Sequence, residues 1–284
     1  MFLKKYYHFL IREWVSYDGV WAWISATLVR LVVSLQNARK DELVRRKLHP
    51  FIPDVITLIT PDLRVKNGPF QGMSYPSAMS AGSALFPKLL GSYERELHPL
   101  IENICTKSYN LIIDIGCAEG YYAVGFARRL RKAQILAYDI ECRARELCAT
   151  MATLNGVSDR VTIKAECSPL ELASLSLPAC SLIICDCEGY EMTLFSPEIA
   201  ALMTKVDFLI EVHDFIDIEI SAAIRKRFEA THEIAVIQSV DDLQKPYHKD
   251  YAYPELISFN AASRRILLAE YRPSIMEWFF MTPR

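Results

Sequence analysis

Three stretches of this 284-residue chain combine acidic side chains with glycine or histidine in patterns that suit ligand binding and group transfer. The first, Asp114-Ile115-Gly116-Cys117-Ala118-Glu119-Gly120, is a D-x-G-x-x-x-G turn. Its glycines permit a tight turn and close approach of backbone to a ligand. The second and third, Asp186-Cys187-Glu188-Gly189-Tyr190-Glu191 and Glu211-Val212-His213-Asp214, supply carboxylates and one imidazole. His213 has an ordinary pKa suited to a general base that takes a proton from a hydroxyl, with Asp186 and Glu211 beside it. The same acids allow a second reading, in which Asp186, Glu211 and Asp214 hold Mg2+ through hard oxygen ligands that orient a substrate oxygen. A third reading makes Glu188 and Glu191 helix N-terminal carboxylates facing the positive end of the dipole.

The ligand of the first turn follows from what it lacks. A dinucleotide site wants G-x-G-x-x-G, and here Ala118 and Tyr121 occupy the second and third glycine positions. Asp114 and Glu119 also set two carboxylates beside a helix N-terminus that would otherwise attract a pyrophosphate. Two negative charges suit a ligand carrying an ammonium and a sulfonium, as S-adenosyl-L-methionine does. The next strand ends at Asp139, where a carboxylate can accept from both ribose hydroxyls, and Glu166 follows the third strand where an adenine would rest. With Cys117, Tyr121 and Ile140, which flank these positions, they form the expected cofactor-binding set: Asp114, Gly116, Cys117, Glu119, Gly120, Tyr121, Asp139, Ile140, Glu166 and Asp186.

The elements that must position these residues alternate strand and helix from Tyr93 onward, the pattern of a mostly parallel sheet covered on both faces. Strands are expected at 111–115, 135–139, 161–165, 182–185, 208–212, 233–240 and 265–270, and helices at 122–131, 143–155, 192–203 and 218–228. All three acidic stretches then lie at carboxyl ends of strands, where α/β sheets bind ligands. Residues 1–50 read as a helical extension ending at His49-Pro50-Phe51-Ile52-Pro53. Residues 51–108 form an irregular lead-in with β-like runs at 55–59 and 63–66 and a Gly/Pro/Ser-rich stretch at 67–83. Residues 109–284 form the catalytic domain. The long connection 241–259, with Tyr247, His248, Lys249, Tyr251 and Tyr253, suits either a lid or a packed surface loop.

Over roughly residues 90–240 the sequence resembles the FkbM-type methyltransferases, whose pattern runs D-x-G-A-x-x-G-Y-Y, then D-V-E-G-x-E, then E-x-H. The corresponding residues here are Asp114 to Tyr122, Asp186 to Glu191 and Glu211-Val212-His213, with Cys117-Ala118-Glu119 and Cys187 as departures. The resemblance implies a Rossmann-like α/β fold, the seven-stranded class I methyltransferase sheet with helices on both faces and an antiparallel final pair. It also implies O-methylation of a hydroxyl on a small molecule or glycan. Tyr93 and Glu94 correspond to a segment that closes over the cofactor in such proteins, so both join the cofactor-binding set.

Composition bounds the remaining choices. A formal charge of −2 and a pI near 6.3 leave no basic excess for a nucleic-acid backbone, and the basic runs 39–47 and 128–132 read as solvated helix faces. The D/N-P-P-Y/F motif of exocyclic-amine methylation is absent, since Cys-Glu-Gly follows Asp186. Eight scattered cysteines without a CxxC pair suit buried thiols in a reducing cytoplasm, Cys185 and Cys187 among them as small core residues. Residues 1–35 include the apolar run 20–35, interrupted by Arg30. It suits a helix packed on the domain, a homodimer contact, or peripheral anchoring at the inner face of a membrane. A non-catalytic binding module on the same fold is the alternative to an enzyme. Loss of cellular function on replacing Asp186 and His213 distinguishes the two.

Overall fold

A computed structural model of the chain describes residues 51–284, together with Ile24 and Leu28. The chain divides into Met1–Asp54 and Val55–Arg284. The expected helical extension and apolar run 20–35 thus lie, but for those two residues, outside the described residues. Among the described residues no helix is long and apolar enough to cross a membrane.

Parallel pairing begins with β1 (Leu111–Ile115) and β4 (Ser181–Cys185), short apolar runs in which every residue is buried, as a strand covered on both faces requires. β2 (Gln134–Tyr138) and β3 (Val161–Lys164) extend the sheet on one side of β1, and β5 (Asp207–Val212) extends it beyond β4. β7 (Glu277–Pro283) runs antiparallel to β5, and the edge strand β6 (His232–Gln238) antiparallel to β7. The order is β3-β2-β1-β4-β5-β7-β6. The direction of winding therefore reverses between β1 and β4, which opens a crevice beyond their carboxyl ends.

Within residues 51–284 the helices are α1 (Ile52–Ile59), α2 (Leu85–Leu90), α3 (His98–Thr106), α4 (Tyr121–Arg129), α5 (Cys142–Leu154), α6 (Pro169–Ser174), α7 (Glu191–Leu194), α8 (Pro197–Leu202), α9 (Ile220–Phe228) and α10 (Ala261–Leu268). Four expectations are corrected. The β-like run 55–59 belongs to helix α1, with Pro53 in its first turn, where a missing N–H costs nothing. The single helix 192–203 is two, because Pro197 holds Ser196 extended and the Ser196 hydroxyl accepts from the Ile199 amide at 3.4 Å to start α8 afresh. The strand expected at 265–270 is the end of helix α10, capped where Asn260 Oδ1 accepts from the Ser263 amide at 2.9 Å. The seventh strand is the aromatic run Glu-Trp-Phe-Phe-Met at 277–281. Of the run 63–66, only an isolated bridge between Arg64 and Ser74 is β-like.

Strand register positions the site. Ile115 is level with Tyr138 on one side and Cys185 on the other, and Cys185 is level with Ile210. One residue further on, Asp139, Gly116, Asp186 and Glu211 therefore stand in a row across the carboxyl ends of β2, β1, β4 and β5.

Candidate active site

The row is held together by backbone. The Gly116 and Cys117 amides both donate to the Tyr138 carbonyl at 2.9 Å, and the Asp186 amide donates to the Ile115 carbonyl at 2.9 Å. Gly116 has φ +84°, and a Cβ there would stand 1.7 Å from the Asp186 carbonyl oxygen, so only glycine lets the β1 and β4 loops meet. Three non-glycine residues nearby, Glu94, Ala118 and Glu188, also have positive φ (46°, 48° and 52°), a costly conformation that clusters at functional sites.

Carboxylates crowd the crevice. Asp114 is 3% exposed and its Oδ2 has no hydrogen-bond donor. Burial, with Asp186, Asp139 and Glu94 nearby, raises its pKa to about 7 against the pull of the Ala123 amide. Asp186 Oδ1 is likewise buried without a donor; His213 Nε2 lies 3.3 Å away but out of hydrogen-bond alignment. Asp139 is half-buried, accepting from the Ala118 amide through Oδ2 and the Glu141 amide through Oδ1, both at 2.8 Å. Ile140 beside it is 76% exposed, an apolar surface at the crevice edge, and Glu166 is also exposed.

His213 is 2% exposed and lies between carboxylates. Its Nδ1 is 2.6 Å from Glu191 Oε1, and its Nε2 faces Asp186 and, at 3.7 Å, Glu188 Oε2. Burial alone would favour the neutral ring, but Asp186 and Glu191 overcome it and raise the pKa to about 11. These two carboxylates thus favour the charged form of the imidazole. Glu188, its side chain 76% exposed, is the carboxylate open to an acceptor, and burial and Asp186 raise its pKa.

Charges absent from the sequence reading complete the site. Arg272 binds Glu211 (2.5 Å), Glu94 (2.7 Å) and Glu270 (3.0 Å) at once, its side chain 14% exposed. Lys245, fully buried, binds Glu270 (2.6 Å) and Asp242 (2.9 Å). The Tyr122 hydroxyl donates to Glu94. Together these ties bolt the segment after β6 onto the crevice. Tyr251 and Tyr253 point inward to Glu96 Oε1 and the Gly91 carbonyl, so 241–259 is a packed layer, with only Tyr247 strongly exposed among its tyrosines.

Two members of the expected cofactor set pack against the lead-in. Glu119 is buried and accepts from Lys88 (2.5 Å), Tyr75 (3.2 Å), Ser80 and the Ala81 amide (both 3.0 Å), and the Lys88 charge outweighs burial to keep its carboxyl below the usual range. It adds no net charge to the ligand site. Tyr121 packs edge-on against Phe70 and Tyr93, ring centroids 5.3 Å apart in each pair. Tyr93 also lies against Lys88 and Arg272, and Cys117 is buried. A Cβ on Gly120 (φ +95°) would meet Cys148 Sγ at 2.8 Å.

The metal reading meets a different obstacle. Asp186, Glu211 and His213 have donor atoms within 4.8 Å of one another, but both oxygens of Asp214 are taken by Ser221, at 2.8 Å from its amide and 2.6 Å from its hydroxyl. Arg272 already neutralises Glu211, and an imidazole is a poor partner for Mg2+. This donor set does not fit Mg2+. Any turnover at this crevice is accordingly expected to be unchanged when EDTA is added to the assay; a fall reversed by Mg2+ would contradict this.

No protein-family model matches the chain, and no curated protein matches it. Among solved structures, it is similar to the O-methyltransferase TomG from Streptomyces achromogenes, in complex with SAM (14% identity, 69% of this chain and 83% of that one, TM-score 0.43). It is also similar to the C-terminal domain of precorrin-6Y C5,15-methyltransferase from Rhodobacter capsulatus (12% identity, 68% and 89%, TM-score 0.42). Likenesses this distant decide nothing about activity; the strand order and the antiparallel β7 carry the fold assignment. The fold is that of the class I methyltransferases.

Proposed function

We propose that this chain is an S-adenosyl-L-methionine-dependent methyltransferase acting on a hydroxyl of a small molecule or glycan, in the manner of the FkbM-type enzymes its motifs resemble. The observation that carries the reading is the buried Asp114 carboxylate oxygen without a donor, in an acid-rich crevice beside Asp139 and Asp186. A buried acceptor left unpaired is costly, and a cationic ligand relieves that cost. Asp114 and Asp186 would meet the positive charge of the cofactor, Asp139 the ribose hydroxyls, and Ile140 a face of the adenine.

When bound, S-adenosyl-L-methionine supplies an activated methyl group whose bonding electron pair stays with sulfur on transfer. The chain must then hold the acceptor oxygen in line and remove its proton, and positioning provides most of the acceleration. Glu188 takes the proton from the hydroxyl as the new O–C bond forms. The imidazolium of His213, held by Glu191, donates to the reacting oxygen and limits charge build-up as the proton leaves.

Calorimetric titration with S-adenosyl-L-methionine tests this. Asp114 must ionise to meet a cation, so affinity is expected to fall as pH drops below 7, by at most about tenfold per unit. Asp114→Asn removes that pH dependence. Absence of binding at neutral pH would reject the reading.

A further inference from the structure

The basic run 128–132 is unused by the crevice and lies at the other end of the sheet. The last turn of α4 faces the loop that leads from α5 into β3, and with Gln71 of the lead-in they enclose an open groove of about 570 Å3. That volume suits a small ligand. β2 and β3 begin here, at Gln134 and Val161, so the groove is a strand length, about 15 Å, from the row formed by Asp139 and Asp186.

Arginine dominates the lining, with Arg128, Arg129, Arg131 and Arg160 against one acid, Asp159. Arg129 is committed to Glu102 through two contacts, at 3.1 and 2.7 Å. The other three have no carboxylate partner among the described residues. Arg128 Nη1 reaches the carbonyls of Phe70 (3.5 Å) and Gln71 (3.4 Å), and Arg160 Nη1 that of Leu130 (3.2 Å). These bonds hold the guanidiniums without neutralising them. Arg128 and Arg160 are half-buried, which a purely solvated face would not require. Burial and the neighbouring Arg64 and Arg129 charges pull the Arg128 pKa down. A bound anion would relieve that repulsion.

We propose that this groove is a second ligand site, separate from the transferase crevice, in which Arg128, Arg131 and Arg160 bind a phosphate group. The planar guanidinium fork matches phosphate geometry. The phosphate belongs either to a soluble phosphorylated molecule or to a lipid headgroup, and two probes separate these sources.

The full chain is titrated calorimetrically with inorganic pyrophosphate at low salt, and sedimented with phosphatidylcholine vesicles with and without phosphatidic acid. Saturable pyrophosphate binding supports a soluble ligand; sedimentation only with the acidic vesicles supports a headgroup. In either case Arg131→Ser and Arg160→Ser should each weaken binding by about tenfold or more, the loss of one charge-assisted hydrogen bond, and leave S-adenosyl-L-methionine affinity unchanged. No binding of either probe, or binding indifferent to both substitutions, would overturn the proposal.

Discussion

Arg272→Met is expected to destabilise the protein by about 3–5 kcal/mol at neutral pH, the cost of leaving buried charges without their partner. Arg272 is the counter-ion shared by Glu94, Glu211 and Glu270, whose side chains are 2–5% exposed. Methionine keeps the apolar contact with Trp278, over whose ring the guanidinium lies at 4.8 Å, so the loss isolates charge from packing. Lys245 still holds Glu270, but no other lysine or arginine contacts Glu94 or Glu211 among the described residues. Glu211 already has its pKa raised by burial and by Asp186, and without Arg272 it would take up a proton at a higher pH still. The deficit should therefore shrink as pH falls through the raised folded-state range of Glu211, and change no further once pH is below the ordinary carboxylate range, where both states are protonated. Urea denaturation at pH 7.5 and pH 4.5 measures both; a loss under 1 kcal/mol at pH 7.5 would remove the ion lattice as the bond between crevice and C-terminal segment.

The second large effect is on catalysis. His213→Asn is expected to lower turnover by about 10²–10⁴-fold, the usual contribution of a proton-donating or proton-accepting group, while S-adenosyl-L-methionine affinity changes little. Asparagine keeps a donor for Glu191, which is fully buried and would otherwise lose its 2.6 Å partner. The wild-type pH profile then distinguishes imidazolium from neutral base. With its pKa near 11, His213 stays charged through the physiological range, so it should add no step to turnover between pH 6 and 9. A neutral imidazole acting as base would instead show activity rising through a pKa near 6.5.

Much of the site was legible because strand ends carry their own signals. Asp114, Asp139, Asp186 and Glu211 each follow a short apolar run, and in a parallel sheet such ends converge whatever the loops do. The cations were not legible. Arg272 lies 178 residues from Glu94 and Lys245 25 residues from Glu270, and neither falls in a periodic segment. Their signal was indirect: so many acids at one crevice require buried positive charge, and the same reasoning would have found Lys88 opposite Glu119. Glu119 has its counter-ion in Lys88, 31 residues earlier, which no local pattern announces.

The seventh strand shows the limit of periodicity. Ile266-Leu267-Leu268 is too short an apolar run to separate strand from helix, and Asn260 three residues before Ser263 was the cap that should have decided it. The aromatic run 277–281, rich in strand-favouring side chains, pairs with both β5 and β6 and closes the sheet.

A crystal structure with sinefungin, an S-adenosyl-L-methionine analogue with an amine in place of the sulfonium methyl, tests the central claim most directly. The account predicts the analogue in the crevice between β1 and β4, with its ribose hydroxyls on Asp139 and its amines within hydrogen-bond distance of Asp114 or Asp186. An empty crevice at saturating analogue, or a ligand whose amines lie away from both aspartates, would contradict it.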